Sequence, residues 1–185
     1  MTQKSTLHEK TLNLILIALM AALMAVCSWI SIPAAEAPFT LQTFAVFTAI
    51  GLLGGRRGTI AVAVYILLGA VGLPVFAGFT GGPGRLLGTT GGYIIGFLFS
   101  ALVMWCTEKL LGAKLPALTI AMVLGLITCY AFGTAWFVLV YTSTKGAVGI
   151  LTALGWCVFP YIIPDLIKIA LAAIVITKLR PHVPA

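Results

Sequence analysis

Charge is what this chain has least of. Only 8% of its 185 residues are charged, four of them acidic and eleven basic, whereas ordinary soluble domains carry roughly 25%. Long uncharged stretches result: Thr11–Ala35, Ala37–Gly55, Gly58–Gly84, Leu86–Thr107, Leu115–Thr144 and Gly146–Pro164. With 61% hydrophobic residues and a mean hydropathy of +1.15, they suit the ~20 predominantly apolar residues of a membrane-spanning helix. A soluble domain is excluded. The expected fold is an all-α integral membrane protein, a single polytopic domain over residues 1–185.

Other shortages remove whole classes of function. The two histidines, His8 and His182, are terminal, and there is no H-E-x-x-H and no second intramembrane carboxylate. General acid–base and metal-assisted catalysis therefore lack their parts; no catalytic residues are assigned and an enzyme is not expected. Cys27, Cys106, Cys129 and Cys157 are spread singly, without metal-ligand spacing, so neither a metal nor a cofactor is expected. The P-loop pattern G-x-x-x-x-G-K-[ST] is missing, so ATP hydrolysis by this chain is not expected. No basic stripe interleaved with aromatics exists, which leaves out nucleic acid. The apolar run after Lys4 and Lys10 is longer than a signal-peptide core, and Met24-Ala25-Val26-Cys27 lacks the small residue expected before a lipoprotein cysteine. It reads as a retained first helix.

What is present divides into six expected transmembrane helices, at about 12–32, 40–54, 58–72, 92–111, 116–140 and 160–179. The last begins at Pro160 or Pro164, since proline suits a first helical turn. Basic residues collect on the cytoplasmic side of short loops. With both termini cytoplasmic, Lys4, Lys10, Arg56, Arg57, Lys109, Lys114, Lys178 and Arg180 all lie inside, and the outer loops are 33–39, 73–91 and 141–159. The stretch 77–85 is read as too broken by glycine and proline for helix. Gly146–Phe159 offers a seventh span, but that would move Lys178 and Arg180 outside, so a helix in the outer leaflet is preferred.

Asp165 and Lys168 stand in the last apolar segment, where an ionisable group costs about 2.5–3.5 kcal/mol on insertion scales. At i and i+3 they share a helix face. They form either an ion pair that braces packing or a ligand site; a proton relay would need more titratable groups, and only Glu36 is near. Arg85 closes the glycine-rich loop with a forked donor suited to a carboxylate, or alternatively meets lipid headgroups. Ala18 and Ala22, or Ala21 and Ala25, give small residues at helical spacing, suited to packing within the bundle or to docking on another membrane subunit.

Five segments carry a family resemblance: Pro38-Phe39-Thr40-Leu41-Gln42-Thr43, Gly54-Gly55-Arg56-Arg57-Gly58, Tyr65 to Gly78, Gly88-Thr89-Thr90-Gly91-Gly92-Tyr93-Ile94-Ile95-Gly96-Phe97, and Pro164-Asp165-Leu166-Ile167-Lys168. In these the chain resembles the BioY family, biotin-specific substrate-binding (S) components of energy-coupling factor (ECF) transporters. Thr89 departs from the family's G-P-T-G-G pattern. The resemblance implies a six-helix, multi-pass protein of the prokaryotic plasma membrane that captures biotin at an outward-facing pocket for vitamin uptake. It implies as partners a transmembrane coupling protein and two cytoplasmic ATPases, docked through Ala18 and Ala22 or, in the other register, Ala21 and Ala25.

Biotin offers two ureido N–H donors, a carbonyl, an apolar ring and chain, and a carboxylate. Asp165 is expected to accept ureido N–H bonds, Lys168 to offset its charge and donate to the carbonyl, Arg85 to meet the carboxylate and Gln42 to add an amide contact. Phe39, Phe76, Phe79, Tyr93 and Tyr161 are the expected apolar walls. The alternatives are an S component for another vitamin or small carboxylate, and a self-sufficient ion-coupled small transporter.

Overall fold

The computed structural model describes residues 2–33 and 37–183; Glu36, considered above as a relay partner, lies outside them. Eight α-helices occur among the described residues: α1 (Thr2–Trp29), α2 (Gln42–Leu53), α3 (Gly55–Ala70), α4 (Pro83–Leu87), α5 (Gly91–Leu111), α6 (Leu115–Lys145), α7 (Ile150–Cys157) and α8 (Phe159–Leu179). A two-stranded antiparallel ribbon, β1 (Ser31–Ile32) with β2 (Phe39–Thr40), joins α1 to α2. Four helical stretches are long and apolar enough to cross a membrane: Leu7–Trp29, Gly91–Leu111, Leu115–Lys145 and Phe159–His182.

The helix α2 is the axis of the bundle. All of its residues but Phe44 are buried, as expected of a helix apolar on every side. It packs against α1, α3, α5 and α8. The seam between α5 and α6 is set by glycines: Gly92 faces Trp136, Gly96 faces Cys129, Gly125 faces Ser100 and Gly133 faces Tyr93. Bare Cα atoms at these points let two helices approach closely.

Several elements differ from expectation. The stretch expected to be free of helix contains one turn, α4, because Pro83 stands at a helix start, where its fixed φ fits. The helix α6 runs five residues beyond Val140, to Lys145. Thr40, expected in the second span, pairs instead with Ser31. Pro160 lies in the first turn of α8, and Pro164 is inside it. The segment considered as a seventh span holds only the eight residues of α7, about 12 Å of helix against a ~30 Å hydrocarbon core.

Polar contacts sort the bundle into two ends. At one end Glu108 accepts from the Gly55 amide at 2.6 Å and pairs with Arg180 at 3.2 Å. Arg180 also donates to the Ala113 carbonyl, and Arg57 donates to Asn13 on α1 at 2.7 Å. The first part of α1, the α2–α3 turn, the α5–α6 turn and the end of α8 thus lie together. The ribbon, the 71–90 loop and the start of α8 gather at the other end, where the start of α2 is also found.

Candidate functional site

A cavity opens at that second end. Its free space, open mouth included, is about 730 Å3. Most of its exposed lining surface is apolar, with Ile94, Phe97 and Leu126 contributing, and polar side chains are set among them.

The start of α8 supplies the charged part. Asp165 and Lys168 are 4% and 7% exposed, and Lys168 Nζ lies 2.7 Å from Asp165 Oδ1. The i, i+3 spacing on one helical face makes this pairing local. A buried charge needs such a partner. The second carboxylate oxygen accepts a hydrogen bond from the Tyr130 hydroxyl of α6 at 2.5 Å. One turn earlier on α8, Tyr161 donates its hydroxyl to the Ala37 carbonyl and stacks on Phe39, with ring centroids 4.2 Å apart at 18°. The residues that precede α2 are thereby tied to α8 across the cavity rim.

Gln42, at the start of α2, donates its amide to Tyr65 Oη at 2.8 Å, and Tyr65 donates onward to the Val75 carbonyl at 3.0 Å. This chain fixes the Gln42 side chain and leaves its carbonyl oxygen for a ligand. Tyr93, near the start of α5, shares a hydrogen bond with Thr134 at 3.0 Å. Arg85 is held on α4, inside a loop pinned at two places: Trp29 Nε1 bonds the Pro74 carbonyl at 2.8 Å, and Trp136 Nε1 bonds the Gly88 carbonyl at 3.1 Å. Arg85 borders the cavity, and its buried Nε has no hydrogen-bond partner among the described residues. An unpaired buried donor beside an apolar cavity is a site waiting for an acceptor.

The structure therefore brings Asp165, Lys168, Arg85, Gln42, Tyr93 and Tyr161 to one cavity. Three expected wall residues stand elsewhere. Phe39 backs the wall behind Tyr161 without lining the cavity. Phe76 is a core residue, 1% exposed and edge-on to Tyr65 at 5.6 Å. Phe79 is 64% exposed and stacks on Trp29 at 5.0 Å, its φ of 55° turning it outward. The small residues of α1 also separate. Ala18 and Ala22 face outward, while Ala21 and Ala25 are buried at 2% and 6%. The second register is thus internal packing and has no surface to offer a partner.

Sequence reasoning passed over Tyr130, Thr43, Cys129 and Cys157, all of which border the cavity. A phenol in the middle of an apolar span was the available signal for Tyr130. Among the described residues no three metal-ligating side chains gather.

Comparison with known proteins agrees over almost the whole length. A family model described as BioY family matches residues 1–185. The chain is 42% identical over 171 residues to the biotin transporter BioY of Thermotoga maritima, covering 91% of this chain and 95% of that one. It is 36% identical over 168 residues to the biotin transporter BioY2 of Lactococcus lactis, covering 90% and 89%. Among solved structures, the S-component for biotin from an ECF-type ABC transporter superposes with a TM-score of 0.84 at 29% identity, covering 94% of this chain and 93% of that one.

Proposed function

Because the chain belongs to the BioY family, we propose that it captures biotin in the cavity between α2, α4, α5, α6 and α8 for vitamin uptake. It is a membrane transport component and not an enzyme. One observation carries the reading: a single apolar cavity holds a buried Asp165–Lys168 pair and an arginine with a free buried donor. A small ligand that is apolar in its middle, ureido-like at one end and anionic at the other complements that set. In this reading Asp165 accepts from the ureido N–H groups, Lys168 donates to the ureido carbonyl, and Arg85 meets the carboxylate, a charge-assisted contact. Tyr93 and Tyr161 flank the rings, and Gln42 adds an amide contact.

The six longest helices are taken as the spans, α2 and α3 being a short pair within the bundle. Arg56, Arg57, Lys109, Lys114, Lys178 and Arg180 belong to the end away from the cavity, so the positive-inside rule favours that end, with both termini, as cytoplasmic. The cavity then faces outward from the plasma membrane of a prokaryotic cell. Energy is supplied in trans by a membrane coupling protein and two cytoplasmic ATPases. The outward-facing Ala18 and Ala22 of α1 form the docking surface, since small residues let a partner helix approach closely.

The test is calorimetric titration of the detergent-purified chain with biotin. A saturable one-to-one signal is expected. No binding at micromolar biotin overturns the reading, and tighter binding of another vitamin would reassign the substrate.

A further inference from the structure

The direction of one proton decides what the cavity floor offers a ligand. Asp165 pairs with the Lys168 ammonium at 2.7 Å, and an ionised carboxylate only accepts hydrogen bonds. Across the 2.5 Å contact between Tyr130 and Asp165, the phenol is therefore the donor. A tyrosine has one such proton. Tyr130 also borders the cavity, so what it turns toward a ligand is an oxygen that accepts and does not donate. Asp165 keeps unused lone pairs beside it, and Lys168 keeps ammonium protons beyond the one that meets Asp165. The floor thus reads as two acceptors beside one donor. Its complement is a group with two N–H donors beside one carbonyl, which is a cyclic urea.

We propose that Tyr130 is a specificity-determining residue: its proton committed to Asp165, it accepts one of the two ureido N–H groups, leaving Asp165 the other, and so selects a cyclic urea over a cyclic carbamate of the same shape. The inference rests on the biotin reading above and adds to it a residue and a basis for discrimination. Ring oxygen and N–H are nearly equal in size, so packing alone does not tell the two ligands apart. With oxygen in the ring, however, lone pair faces lone pair, and a site built to bond an N–H rejects an analogue that lacks it far more strongly than a change of size would.

The experiment is a double-mutant cycle in detergent. Dissociation constants are measured for the wild-type chain and Tyr130→Phe with biotin and with its two cyclic carbamate analogues, each having one ureido N–H replaced by oxygen. The wild-type chain is expected to bind biotin at least tenfold tighter than either carbamate. Tyr130→Phe is expected to weaken biotin at least tenfold and one of the carbamates, the one missing the N–H that meets Tyr130, less than threefold. Equal weakening of all three ligands in a folded variant makes Tyr130 a brace for Asp165 only and overturns the proposal, as does unchanged biotin affinity. Should Tyr130→Phe fail to fold, the wild-type chain decides: equal affinity for biotin and both carbamates overturns the proposal, and a tenfold preference for biotin supports it. No biotin binding by the wild-type chain overturns the site's reading as a whole, which separates that failure from one confined to Tyr130.

Discussion

The ring of Phe76 lies directly on the bare Cα of Gly69, so close that a β-carbon there would overlap it. The same ring meets Tyr65 edge-on, and Tyr65 holds both Gln42 and the Val75 carbonyl. Gly69 is therefore the floor on which a loop and one polar wall of the cavity rest.

Gly69→Ala forces Phe76 to move. Overpacking of this kind costs about 1–3 kcal/mol, or a midpoint lower by roughly 2–4 °C per kcal/mol for a chain of this size. Thermal unfolding in detergent should show the drop, together with weaker biotin binding as Gln42 loses its brace. An unchanged midpoint would mean that the ring is not seated on Gly69.

Asp165→Asn should weaken biotin binding more than tenfold, since a hydrogen bond to a charged group contributes about 1.5–3 kcal/mol. It also leaves Lys168 charged, buried and unpaired, a loss of ~3–5 kcal/mol, so stability falls as well. The double variant Asp165→Asn with Lys168→Met separates the two effects: its melting temperature should partly recover while affinity stays low. Recovery of both would make the pair a structural brace alone.

Arg85→Gln should cost biotin at least tenfold in affinity and cost biotin amide, which has no carboxylate, less than threefold. The comparison is made by titration of both ligands into both proteins. Equal losses on the two ligands would move Arg85 away from the carboxylate and toward a general role in holding its loop.

Ala18→Trp with Ala22→Trp alters an outward face, whereas Ala21→Trp enters a buried one. The first pair should abolish biotin uptake by cells carrying the energising partners while leaving binding to the purified chain within twofold. Ala21→Trp should lower the melting temperature and binding together. Normal uptake with both bulky residues in place would remove this face from docking.

Hydropathy made the long helices legible, because an apolar run between charges can hardly be anything else. It left their facing unread: lipid and core are both apolar, so Ala18 and Ala21 look alike in sequence and differ only in the fold. The α4 turn was hidden because proline and glycine were counted as breakers, although Pro83 begins a helix well. Asp165 and Lys168 announced themselves by cost, and Arg85 by its charge in a loop. Phe76 and Phe79 could not be placed, since the direction of each depends on one distant or strained backbone position, Gly69 for the first and a positive φ for the second. Tyr130 reaches Asp165 across 35 residues of sequence, a contact that no local pattern contains.

The turn between α2 and α3 is the single residue Gly54, at φ +79°. At ~1.5 Å per residue, the 12 residues of α2 extend only about 18 Å, well short of the ~30 Å hydrocarbon core. During synthesis α2 has little means of holding a transmembrane position by itself. Joined to α3 by one residue, it forms the first arm of a helical hairpin, and its shortness leaves the end of the bundle that holds the cavity free to be hollow. A hairpin too short to cross and a bundle with room for a pocket then go together.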